Sequence, residues 1–141
     1  MNPANAKNAA QAASFNSIKN VKAKDKAGWL ALFADDAVVA DPVGVSPLDT
    51  TGLGHQGLDA IAKFWDVAIA FGEIEFELLA SHPCGNTCAN VARLQKILSP
   101  TITITTELVI VYEVNVSGKI QSLKAYWDYA LVQAQLDKAF G

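Results

Sequence analysis

Leu32-Phe33-Ala34-Asp35-Asp36-Ala37-Val38-Val39-Ala40-Asp41-Pro42-Val43-Gly44 is the stretch on which the reading of this chain turns. Two acids stand where a helix led by Trp29, Leu30, Leu32 and Phe33 should end. A third acid, Asp41, follows after four apolar residues and lies against a rigid proline. If Val38 to Asp41 is a short strand entering an apolar core, the Asp41 side chain points into that space. A carboxylate held there has a raised pKa and can move protons near neutral pH. The plainer alternative is a capping carboxylate beside a Pro-Gly turn, where Asp is common. Asp35 and Asp36 suit turn hydrogen bonds better than chemistry, because a helix C-terminus is a poor electrostatic place for an acid.

Upstream of this stretch, residues 1–8 read as a frayed lead. Residues 9–21 form an Ala-rich helix of good propensity, and Asp25 is placed to cap a second helix. Downstream, residues 42–57 carry prolines, glycines and small polar residues, a loop long enough to serve as a lid or rim. A third helix is expected over 58–71, with Ile61, Phe64, Trp65 and Ala68 at helical spacing and Gly72 closing it. The remainder is strand-like: 73–81, 89–98, 102–115 and 119–131. In the first of these, Ile74, Phe76 and Leu78 alternate with Glu73, Glu75 and Glu77, as in a sheet with one wet face. Three helices followed by an antiparallel meander make an α+β domain with helices covering one face of a curved sheet.

The chain has 141 residues, enough for one domain spanning 1–141. Apolar residues make up 51 % and charged residues 18 %, a balance that points to a lined cavity or a subunit interface. The net charge of -3 and a single clustered set of lysines (Lys19, Lys22, Lys24, Lys26) argue against nucleic acid. No apolar run is long enough to span a membrane, and no secretion signal opens the chain, so a cytoplasmic location is expected. There is no Gly-rich strand-to-helix loop for a nucleotide cofactor. Cys84 and Cys88 flank Gly85-Asn86-Thr87 and read as reduced hairpin thiols, with a disulfide or a metal site as alternatives; no metal and no cofactor is expected.

Several blocks together resemble the ketosteroid isomerase-like (SnoaL-like) group of the nuclear transport factor 2 superfamily. They are Leu32 to Ala37, Asp41-Pro42-Val43-Gly44, Gly57 with Ala60-Ile61 and Phe64, and Gly118-Lys119-Ile120 leading to Ser122-Leu123-Lys124-Ala125. The resemblance implies a cone-shaped fold in which a bent sheet wraps three helices around an apolar pocket. It also implies a homodimer through the outer sheet face and a steroid-like apolar ligand. In the steroid isomerases the Asp of the Asp-Pro-Val-Gly run shuttles a proton between two ring carbons, while a first-helix Tyr and a protonated late-strand Asp stabilise the dienolate oxygen. Here the base position is Asp41. The first-helix Tyr falls on Ser17, its supporting Tyr on Trp65, and the late-strand Asp on Ile110. The proton carrier is present and the usual oxygen donors are replaced.

Replacement donors are therefore sought in Tyr112 and Trp65, each able to give one hydrogen bond to a pocket, with Tyr126 as a further candidate. Phe33, Trp65 and Trp127 are expected as flat ligand walls, beside Ser17, Ile110 and Tyr126. Glu107 falls on the opposite strand face from Ile110 and Tyr112 unless a bulge reverses it. Asp128 differs in parity from Trp127, so at most one of the two lines a cavity. His55 sits in the loop, in solvent or at a pocket rim. Arg93 is expected to face outward, leaving the pocket without a basic residue. Three functions follow: an isomerase of a steroid-like or other apolar carbonyl compound with Asp41 as general base, a non-catalytic binder of hydrophobic small molecules, or a structural or accessory dimer with a filled core.

Overall fold

The computed structural model describes residues 1–141. After a short 3-10 turn (Pro3–Asn5) come α1 (Ala9–Lys22), α2 (Lys26–Leu30), β1 (Phe33–Ala40) and β2 (His55–Gln56). Then follow α3 (Leu58–Phe64), a π-helical segment (Trp65–Ile69), β3 (Glu73–Cys84), β4 (Thr87–Ser99), β5 (Ile102–Val114), β6 (Ile120–Tyr126) and α4 (Tyr129–Phe140). The sheet runs β2-β1-β6-β5-β4-β3. Its neighbours are antiparallel except β1 and β6, which run parallel, so the sheet is mixed rather than a pure meander. No helix is long and apolar enough to cross a membrane.

Local chemistry accounts for the element ends. Asn8 accepts the Gln11 N–H at 2.7 Å and starts α1; Asp25 accepts the Gly28 N–H at 2.9 Å and starts α2. The second helix is shorter than its apolar spacing predicts, and Asp35 and Asp36 lie in β1 instead of closing it. The cause is the sheet: Leu32 O accepts the Ile120 N–H at 2.8 Å, and Phe33 pairs with Ile120. Backbone partners on β6 outweigh two more turns of helix. Asp36 points outward and accepts a bond from Gln121 at 2.9 Å.

The last strand also ends earlier than expected, at Tyr126. Asp128 accepts the Ala130 N–H at 2.9 Å and caps α4. This helix covers the edge that β5 exposes where β6 stops: Gln135 accepts from the Thr105 N–H (2.9 Å) and donates to the Thr105 carbonyl (2.8 Å). Cys84 and Cys88 are free thiols on the β3–β4 hairpin, turned at Gly85 with φ +59°.

The core lies between α1, α2, α3 and the concave sheet face, with Trp29, Val39, Ile61, Cys88, Ala92, Ile120 and Ala125 almost fully buried. One seam of it is polar. Asn90, wholly buried, donates to Ser14 of α1 at 3.0 Å and accepts from Ser81 of β3 at 2.6 Å. Buried amides and hydroxyls that satisfy each other in this way fix where α1 rests on the sheet.

Candidate functional site

A cavity of about 260 Å³ opens between α1, the π-helical segment, the concave sheet face and α4; twenty of its 25 lining residues are hydrophobic. Asp41 follows directly on β1 and lines it. The strand is parallel to β6 up to Ala40–Lys124, and the Val43 N–H then bonds Ala125 O at 2.9 Å, which fixes the chain on both sides of Asp41. Trp127 lies two residues beyond Ala125, on the same face. Its indole N–H donates to Asp41 Oδ1 at 2.5 Å.

Burial in this apolar space pushes the Asp41 carboxyl above its ordinary range. The Trp127 bond, which favours the charged form, opposes that rise, and positive charge on His55 opposes it further. Because burial dominates, a proton on Asp41 is held more tightly than on an exposed aspartate.

A second polar group lines the same cavity. Ser17 on α1 is almost completely buried, and its Oγ accepts two hydrogen bonds, from Trp29 Nε1 (3.0 Å) and from Tyr112 OH (3.0 Å). A hydroxyl has two lone pairs and one proton. Both lone pairs are engaged, and no protein atom accepts the Ser17 proton. Ser17, Trp29 and Tyr112 all line the cavity. Burial also raises the Tyr112 pKa, so its phenol stays neutral and remains a donor.

Of the residues singled out from sequence, Asp41, Ser17, Ile110, Tyr112 and Trp127 meet at the cavity. Others stand elsewhere. Trp65 is buried behind Trp29, with ring centroids 5.2 Å apart, and Phe33 packs edge-on against Trp29 at 4.6 Å; both fill the core and neither lines the cavity. Tyr126 is about half exposed on the outer face, opposite Val109. Glu107 is also outside, 3.3 Å from Arg93, because no bulge interrupts β5 before it. Asp128 is spent on the α4 cap. His55 pairs with Val39 at the sheet edge and its ring lies 4.9 Å from Phe64; its Nε2 is buried without a partner and it does not line the cavity.

Several contributors were missed. Trp29 supplies a hydrogen bond that only the α1–α2 packing creates. Tyr129 and Val132 reach the cavity from α4, whose first turn overlaps the strand expected through residue 131. Lys22 and Lys96 line it as well, against the expectation of a pocket without basic residues. Lys96 was legible: it shares strand parity with Ala92 and Leu94, the inward face of β4.

A curved α+β sheet around helices, with one buried carboxylate in an apolar cavity, defines the nuclear transport factor 2-like class. Residues 15–123 match the SnoaL-like domain model, and the chain belongs to that family. Among solved structures it is similar to the Δ5-3-ketosteroid isomerase of a Mycobacterium species: 33 % identity, 87 % of this chain and 95 % of that one covered, TM-score 0.81. It is likewise similar to RV0760c of Mycobacterium tuberculosis, with 32 % identity, 87 % and 93 % covered, and TM-score 0.82. The same M. tuberculosis protein in complex with estradiol-17beta-hemisuccinate matches with TM-score 0.81 at 32 % identity, covering 87 % of this chain and 96 % of that one. No curated protein sequence matches the chain.

Proposed function

We propose that this protein isomerises a steroid-like, apolar carbonyl compound, with Asp41 as the general base. The observation that carries this reading is the Asp41 carboxylate, lifted by burial and aimed by Trp127 within an apolar cavity. The likeness to a ketosteroid isomerase supports it. Asp41 takes a proton from the carbon beside the carbonyl, breaking that C–H bond as electrons shift to the oxygen. It then returns the proton at the far end of the conjugated system, so atoms and charge balance without any co-reactant. The Ser17 hydroxyl, its oxygen already loaded by Trp29 and Tyr112, gives its proton as a hydrogen bond to the developing oxyanion. Tyr112 acts through Ser17 and is a positioning residue.

The test is turnover of a 3-oxo-Δ5-steroid by wild type and by Asp41→Asn. Wild type should turn over, and the variant should be slower by roughly 10²-fold or more. Equal rates would remove Asp41 from the mechanism. The second reading, a non-catalytic binder of the same ligands, is favoured by one observation: Ile110 leaves the cavity with no second acid. Tight binding with no wild-type turnover would select it. A homodimer across the outer sheet face, where Leu79, Val109 and Tyr126 are exposed, is part of the proposal and is checked by light scattering.

A further inference from the structure

At the end of the cavity away from Asp41 stands a cation with no counter-charge. Lys96 on β4 lines the cavity and is only partly exposed. Its ammonium donates to Ala68 O at 2.6 Å and lies 3.9 Å from the centre of the Phe71 ring. An ammonium has three N–H donors. The carbonyl and the ring face account for two, so one remains for the cavity. The ion pairs of the molecule involve Lys26 and Arg93; no carboxylate pairs with Lys96. Lys24 comes from α1's end to the neighbouring carbonyl, Ile69 O, and Lys22 lines the same mouth. Lys24 and Lys96 together hold the end of the π-helical segment, and of the two only Lys96 also lines the cavity. That holding role uses one Lys96 donor and leaves the donor that faces the apolar cavity unassigned.

The two polar ends are well separated. Ala125, which accepts the bond from Val43, pairs with Ile110; Lys96 pairs with Ile104, six residues earlier on β5. That is about 20 Å of strand. A rigid apolar body with polar groups at opposite ends fits this arrangement.

We infer that Lys96 is a recognition site for an anionic group on the ligand: a carboxylate carried at the end opposite the carbonyl that Asp41 addresses. The inference rests on the apolar-ligand reading above and narrows its substrate class to amphipathic keto acids. Burial, with the nearby Lys24 charge, lowers the Lys96 pKa to about 8. An incoming carboxylate would relieve both effects. The charge acting on this ammonium is that of Lys24, on which Glu73 acts in turn; Lys22 lines the same cavity.

Binding of a 3-oxo-Δ4-steroid 17β-carboxylic acid and of its methyl ester, followed by tryptophan fluorescence, tests the inference. Wild type at pH 7 should prefer the acid by about tenfold, the effect of one charge-assisted hydrogen bond. Lys96→Met should erase that preference while the ester binds as before. In wild type alone, the preference should fade as pH rises through about 8 and Lys96 loses its proton, a readout that needs no variant. Equal binding of acid and ester by wild type, or an acid preference that survives in Lys96→Met or at pH 9.5, overturns the role of Lys96 and leaves the apolar-ligand reading standing. Failure of both probes to bind overturns both.

Discussion

Replacing Trp127 by Phe isolates one influence on Asp41 while keeping an aromatic wall. The indole N–H donates to Asp41 Oδ1 at 2.5 Å, a bond that exists in full strength only when the carboxyl is charged. Burial raises the Asp41 pKa and this bond opposes it. Deleting the donor therefore moves the titration upward. A hydrogen bond to a charged group contributes about 1.5–3 kcal/mol, and one pH unit corresponds to about 1.4 kcal/mol. The Asp41 midpoint should rise by about one to two pH units in Trp127→Phe. Carbon-13 NMR of the aspartate carboxyls in ligand-free protein reads this directly, with Asp41→Asn assigning the resonance. The acid limb of kcat/KM against pH should move by the same amount, because it reports the free enzyme's base. A midpoint that stays in place or falls would refute the reasoning, since the indole would then not be bonded to the charged form.

Asp41→Asn should also make the protein more stable near pH 7 while slowing it. A native pKa above the ordinary 3.8 means the folded state binds the extra proton, so this residue's contribution to stability is lost as pH rises through the native pKa. Thermal melts should show the variant higher by roughly 3 °C or more at pH 7, with the gap closing below about pH 4, where Asp41 is protonated in both states. Tyr112→Phe and Ser17→Ala separate the two roles assigned to them. Tyr112→Phe should cost about 1 kcal/mol of stability and lower kcat only several-fold, whereas a direct oxygen donor would cost roughly 10²–10³. Ser17→Ala should show the larger rate loss. It should also destabilise by roughly 2–5 kcal/mol, because it strands the buried donors of Trp29 and Tyr112 together.

What could be read from residues alone divides along physical lines. Asp41 was legible because a charged residue after an apolar run and before proline is a local pattern. The inward parity of Ile110 and Tyr112, and the outward one of Glu107 and Arg93, followed from the period of two in an uninterrupted strand. The limits of helix and strand did not follow. Asp35 and Asp36 looked like a helix end until Ile120, far away in sequence, was seen to claim Leu32 O. Asp128 looked like a strand residue, and only the Ala130 N–H on its side chain makes it a cap. Trp65 is a donor candidate because the resemblance sets a supporting Tyr there, but another tryptophan, Trp29, packs against it and lines the cavity in its place. A choice between two indoles is settled by tertiary packing, which no spacing within one helix contains.

The exchange of an acid for Ile110 changes more than the count of donors. Two carboxyls facing one small cavity titrate as a pair, and neither has a pKa of its own. Here Ile110, largely buried, removes the second carboxyl. Asp41 is left with three influences: its burial, the Trp127 bond and His55. In the proposed mechanism the base would be tuned by groups beside and behind it, and the oxygen side could be built from neutral hydroxyls without disturbing that tuning. Ser17 suits such a site because the phenol and the indole that feed its oxygen carry no charge at neutral pH. A hydroxyl donor, as proposed for Ser17, would give up part of the stabilisation that a neutral carboxylic acid supplies. It would also free the cavity from needing a buried acid kept protonated, and so decouple the pH at which the proposed base works from the pH at which the oxygen donor survives.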